Sequence, residues 1–156
     1  MSSVNLADYL PEGSIITRAS AGDWQAAVTL AGDALVAQGI TTAAYTQEMV
    51  KAIEDLGPYV VIAPGFALAH ARPSPAVLKT GISWVSLADP VNFGSKDNDP
   101  VRLVVGLAAQ DHTSHIEIMS ALAGILDDDD VLDAAILAAS PQEVRKVLST
   151  AAINAA

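Results

Sequence analysis

The chain has 156 residues, 51% of them apolar and 17% charged, the composition of one globular domain spanning residues 1–156. Its net charge of −10 argues against nucleic acid, which selects a basic face, and against an anionic membrane surface; it fits a partner with positive surface, or serves solubility alone. The absence of cysteine leaves no disulfide framework and suits a reducing cytoplasm. The longest apolar runs, such as 101–109, stop well short of a membrane span, so no direct membrane insertion is expected. The N-terminus, MSSVNLADYLPEG, lacks the basic start of a signal peptide.

Ile15–Ile16–Thr17, after the turn residues Pro11 and Gly13, reads as an edge strand. Asp23 then caps a helix with Trp24, Ala27, Val28, Ala31, Leu35 and Val36 at helical spacing, closed by Gly39. Thr41 or Thr42 caps a second helix with Tyr45, Met49, Ala52, Ile53 and Leu56 on one face, ended by Gly57–Pro58. Residues 59–62, YVVI, form a strand broken by Pro64–Gly65, and Phe66–Ala67–Leu68 leads into His70. The RPSP string that follows cannot continue a helix, so His70 lies at a strand end or in a loop.

Thr80 to Leu87 reads as a strand, Asp89 to Pro100 as a loop, and Val101 to Ala109 as a strand covered on both faces. Ser114 to Leu126 is a helix that opens on a capping box, Ser114 with Glu117, and turns Ile116, Met119, Leu122, Ala123 and Leu126 inward. DDDD at 127–130 is a solvated turn and cap before a helix over Val131 to Ala139. A last short helix starts at Pro141, and the tail 150–156 is expected to fray. Helices interleave with strands, so the fold class is α/β with a mixed β-sheet flanked by α-helices.

The three histidines, His70, His112 and His115, all follow expected strands. Ligands of open α/β sheets gather beyond the carboxyl ends of strands, so two such ends could form one site if they are neighbours. A helix N-terminus offers free N–H groups to an anion, Arg72 offers a rigid fork of donors, and Lys79 adds charge nearby. Imidazole is a nucleophile that carries phosphate at high energy, so this set favours transient phosphorylation of a histidine. Each member also has a plainer reading: His112 as an exposed residue before the cap, Arg72 and Lys79 as surface charges. A rival reading takes His70, His112 and His115 as three zinc ligands, with Asp111 as a fourth or outer one. No G-x-S-x-G and no Walker loop occurs, so serine hydrolysis and nucleotide hydrolysis have no support.

GPYVVIAPGFALAHARPSPAVLKTGISWVSLADPVNFG, residues 57–94, followed by DPVRLVVGLAAQDHTSHIEIMSALAGIL, residues 99–126, resembles the enzyme IIA component of the bacterial phosphoenolpyruvate-dependent sugar phosphotransferase system. The likeness is to the mannitol/fructose-type superfamily, and within it to the ascorbate-specific branch. It implies the mannitol-type enzyme IIA fold, with His70 accepting phosphate from the phosphocarrier HPr and His115 assisting. Arg72 and the helix start at Ser114 would hold the phosphoryl oxygens. The acceptor would be the cysteine of an enzyme IIB, linked to a membrane enzyme IIC. No cofactor or metal is implied, the location is cytoplasmic, and a homodimer is left open.

Two departures stand out. The family's usual proline before the active histidine is Ala69 here, which relaxes the backbone. The string MVKAIED has Lys51 but no arginine where mannitol-type members carry one, so Arg72 is expected to supply that charge. Phe66 and Leu68 are either partner contacts around His70 or core. A regulatory module of the same fold, and a zinc hydrolase, are the alternative functions.

Overall fold

The computed structural model describes residues 5–155, with side-chain surroundings for residues 5–150. Residues 1–4 fall outside that range, and of the tail 150–156, expected to fray, only residue 156 does; the backbone is helical up to Ala155. Two 3-10 turns, Leu6–Tyr9 and Glu12–Ser14, lead into β1 (Ile15–Ala19). Then come α1 (Trp24–Ala37), α2 (Ala43–Leu56), β2 (Val61–Ala63), β3 (Phe66–Ala69), β4 (Gly81–Val91) and β5 (Val101–Ala108). α3 (His112–Leu126), α4 (Asp129–Leu137) and α5 (Pro141–Ala155) follow.

The five strands form one sheet in the order β1-β4-β5-β3-β2. β1 runs parallel to β4 and β3 parallel to β5, whereas the β4–β5 and β2–β3 pairs are antiparallel. The expected mixed sheet is therefore present, with β1 at one edge. Both faces are covered. Ala67, Ala69, Val85, Val104 and Ala108 meet α1 and α2. Phe66, Leu68, Trp84, Leu103, Val105 and Leu107 meet α3, α4 and α5. This double cover explains why β5 reads as a continuous apolar run, with only Arg102 exposed. α1 lies close to the sheet because Gly106 has no side chain: a Cβ there would strike Ser83 Oγ, which donates to the Ala31 carbonyl at 2.7 Å.

The structure corrects several boundaries. β4 continues to Val91, which pairs with Val101, so part of the expected 89–100 loop is strand. Pro90 is tolerated because the register shifts between Ser86 and Val91 and residues 88–90 are exposed there. α3 starts at His112, because Asp111 and not Ser114 is the cap: its carboxylate accepts from the Ser114 N–H at 2.7 Å. The buried face of α3 also differs from the expected one: Ile118, Leu122 and Ile125 face inward, Ala123 is exposed, and Ile116 is 48% exposed. Asp128 caps α4 through the Val131 N–H, so the acidic run is a turn and cap as expected, with the helix starting two residues earlier. α5 is longer than the short helix expected. Phe66 and Leu68 are core, whereas Leu56, expected to face inward, is 72% exposed.

Candidate functional site

β3 and β5 run parallel with Ala69 opposite Gly106, so their carboxyl ends are neighbours. His70 follows β3 directly, and α3 begins at His112 just after β5. The topology thus brings His70, His112 and His115 to one cleft of about 770 Å³, which Arg72 also lines. Its opposite wall is α2, with Glu48, Lys51 and Asp55. Lys51 and Asp55 pair at 3.3 Å. Arg72 is exposed and makes no ion pair among the described residues.

The His70 ring is anchored by Nδ1, 2.7 Å from the Leu68 carbonyl oxygen. A carbonyl only accepts, so in the neutral ring Nδ1 carries the proton and Nε2 holds the lone pair. The His115 ring stands 6.2 Å from it at 68°. Burial, reinforced by the nearby His70 and His112, pushes the His115 pKa below its ordinary 6.5, so this imidazole is neutral at pH 7. The Asp111 carboxyl is held below its ordinary 3.8 by the Ser114 N–H, so the helix cap stays ionised.

Two tyrosines complete the surroundings, and neither was a candidate from the sequence. The Tyr59 ring meets the His70 ring edge-on at 5.4 Å, and its hydroxyl donates to the His70 carbonyl at 2.9 Å. Tyr45, expected only as an inward-facing helix residue, donates its hydroxyl to the Leu107 carbonyl at 2.8 Å and accepts from the Ala71 N–H at 3.1 Å. No spacing rule predicts these bonds, because they join residues far apart in sequence.

Ser114 and Lys79 do not line the cleft. The Ser114 N–H, expected to be free for an anion, is taken by Asp111. Among the described residues no three His, Cys, Asp or Glu side chains are placed to hold a metal, so the zinc reading finds no ligand set. No helix among the described residues is long and apolar enough to cross a membrane.

A family model for the phosphoenolpyruvate-dependent sugar phosphotransferase system, EIIA 2, matches residues 8–151. The chain belongs to that family. It is accordingly a phosphotransferase of the enzyme IIA type. It is 36% identical over 146 residues to a mannitol-specific cryptic phosphotransferase enzyme IIA component of Escherichia coli, covering 94% of this chain and 99% of the relative. It is 38% identical over 143 residues to an ascorbate-specific PTS system EIIA component of the same species, covering 90% and 93%. The solved complex of enzyme IIAMTL and phosphorylated enzyme IIBMTL from Escherichia coli contains a similar chain: TM-score 0.79, 29% identity, 90% of this chain and 96% of that one covered. The mixed sheet with helices on both faces is therefore the mannitol-type enzyme IIA fold.

Proposed function

We propose that this enzyme IIA is a cytoplasmic phosphocarrier that takes a phosphoryl group from phospho-HPr onto His70 and yields it to the cysteine of an enzyme IIB. The observation that carries this reading is the His70 ring itself, tied by Nδ1 to the Leu68 carbonyl across the cleft from His115. The lone pair of Nε2 attacks phosphorus, and the bond to the donor's imidazole breaks. Nδ1 keeps its proton on the Leu68 carbonyl. When a thiolate of the acceptor later attacks phosphorus, the electron pair of the P–Nε2 bond returns to a ring that leaves neutral. A ring without that proton would leave as imidazolate, a far poorer leaving group.

Arg72 offers its fork of donors to the phosphoryl oxygens. Neutral His115 donates one N–H to them without a full counter-charge, so the group is steadied but not trapped. Transfer of this kind needs positioning and charge stabilisation more than covalent machinery. Leu56 and Tyr59 on the cleft, and Ile116 beside His115, replace Phe66 and Leu68 as the exposed apolar contacts for both partners. The transported solute is ascorbate, passed on through a membrane enzyme IIC. The ascorbate-specific relative and the G-P-Y and H-A-R-P strings support that choice.

The test is to phosphorylate the protein with radiolabelled phosphoenolpyruvate, enzyme I and HPr, then add an ascorbate-type or a mannitol-type enzyme IIB. Label should pass to the ascorbate-type cysteine and not to its serine variant. Transfer to the mannitol type alone would refute the choice of solute, and transfer to neither would refute the carrier role.

A further inference from the structure

The peptide unit joining His70 to Ala71 is held at both ends by tyrosine hydroxyls. Its carbonyl accepts from Tyr59 at 2.9 Å, and its N–H donates to Tyr45 at 3.1 Å. We propose that Tyr45 and Tyr59 form a clamp on this one peptide and are positioning residues for the transfer at His70. The proposal rests on the phosphocarrier reading for its kinetic consequence, but not for its geometry.

Residues 70–74 have no regular secondary structure, so no sheet ladder holds this peptide. The residue before His70 is Ala69, whose φ is not locked by a ring as proline's would be. Fixing the nucleophile therefore falls to other groups. The Nδ1 bond to Leu68 fixes the ring relative to β3, and the two tyrosines fix the backbone that carries it.

Their placement suits the task. Tyr45 is only 1% exposed, on a helix seated in the core by Met49 and Ile53. Its oxygen contacts two acceptors, the Leu107 carbonyl at 2.8 Å and the Ala71 carbonyl at 3.2 Å, and the single proton favours the shorter bond. The Ala71 N–H and the Leu107 carbonyl thus meet at one atom. That atom ties the segment carrying His70 to the strand that leads into α3 and His115. Burial pushes the Tyr45 hydroxyl up to about 12, so it stays a donor at any physiological pH. Tyr59 is 37% exposed, yet its hydroxyl is committed to the His70 carbonyl and its ring packs at a steep angle against the imidazole. A displacement of about 1 Å at a nucleophile is enough to slow a reaction severely, so the cost of losing the clamp should appear in the rate of transfer.

Tyr45→Phe, Tyr59→Phe and the double variant remove only the oxygens and keep both rings. Three quantities are read for each: hydrogen exchange of the Ala71 amide, phosphoryl acceptance from phospho-HPr resolved into kcat and KM, and Tm. The Ala71 amide should be protected in the wild type and exchange rapidly in Tyr45→Phe. Each single variant should lose about ten-fold in kcat with KM little changed, the cost of one hydrogen bond. The double variant should be within about two-fold of the slower single one, because either loss frees the same peptide. Full kcat in the folded double variant would overturn the clamp. So would losses that multiply, which would make the two tyrosines independent, or a change confined to KM, which would make Tyr59 a docking contact. Tyr59→Phe, near the surface, serves the kinetic test even if Tyr45→Phe does not fold. A wild type that accepts no phosphoryl group defeats the phosphocarrier reading alone, and amide exchange then decides the clamp: an unprotected wild-type Ala71 overturns it.

Discussion

At His115, burial and the neighbouring imidazoles hold the ring neutral, and that neutrality has two measurable consequences. The first is kinetic. His115→Ala removes a donor to the charged phosphoryl oxygens and should slow acceptance on His70 by about ten- to a hundred-fold, read by rapid-quench transfer from phospho-HPr. The second is thermodynamic. The folded pKa lies below the unfolded 6.5, so between the two values the unfolded chain binds more protons. This contribution to stability is complete above pH 6.5 and is lost as pH falls through the depressed value. Tm measured from about pH 7.5 down to about pH 5 should fall less steeply in His115→Gln than in the wild type; equal slopes would contradict the assignment. Of the residues in the cleft, His70, Arg72, His112 and His115 were legible because histidine and arginine beyond strand ends carry a chemical signal. Tyr45 and Tyr59 were not, because their task is to bond backbone groups that only the fold brings near.

Among the elements, β5 and α3 contrast in how well they could be read. β5 sits between β4 and β3 under helices on both sides, and its unbroken apolar run says so. Gly106 within it is a packing requirement that periodicity hides. Gly106→Ala would push a methyl group into Ser83 Oγ and the bond to Ala31 under α1, and should cost about 1–3 kcal/mol in denaturant unfolding. Adding Ser83→Ala to that variant should recover part of the loss, because it clears the space. A Gly106→Ala protein as stable as the wild type would mean that α1 does not press on the sheet. α3 was harder to read. Ser114 with Glu117 has the spacing of a cap, but Asp111 three residues earlier competes for the same N–H and wins, and the face that packs on the sheet is the one carrying Ile118, Leu122 and Ile125. β4 outran its expected end because Asp89 and Pro90 look like loop, while Val91 finds Val101 across the register shift.

For the whole molecule, composition and interleaved elements were enough to give the α/β class, but the strand order was not written in either. Only the placement of β5 beside β3 makes neighbours of strand ends that are about forty residues apart. That adjacency converts three scattered histidines into one cleft, in a protein whose net charge of −10 favours encounter with a basic partner. The most direct measurement is the intact mass of the wild type and of His70→Ala after incubation with phosphoenolpyruvate, enzyme I and HPr. The account predicts a gain of one phosphoryl group, labile in acid and stable in alkali, in the wild type alone. An equal gain in His70→Ala, or no gain in the wild type while HPr is itself phosphorylated, would contradict it.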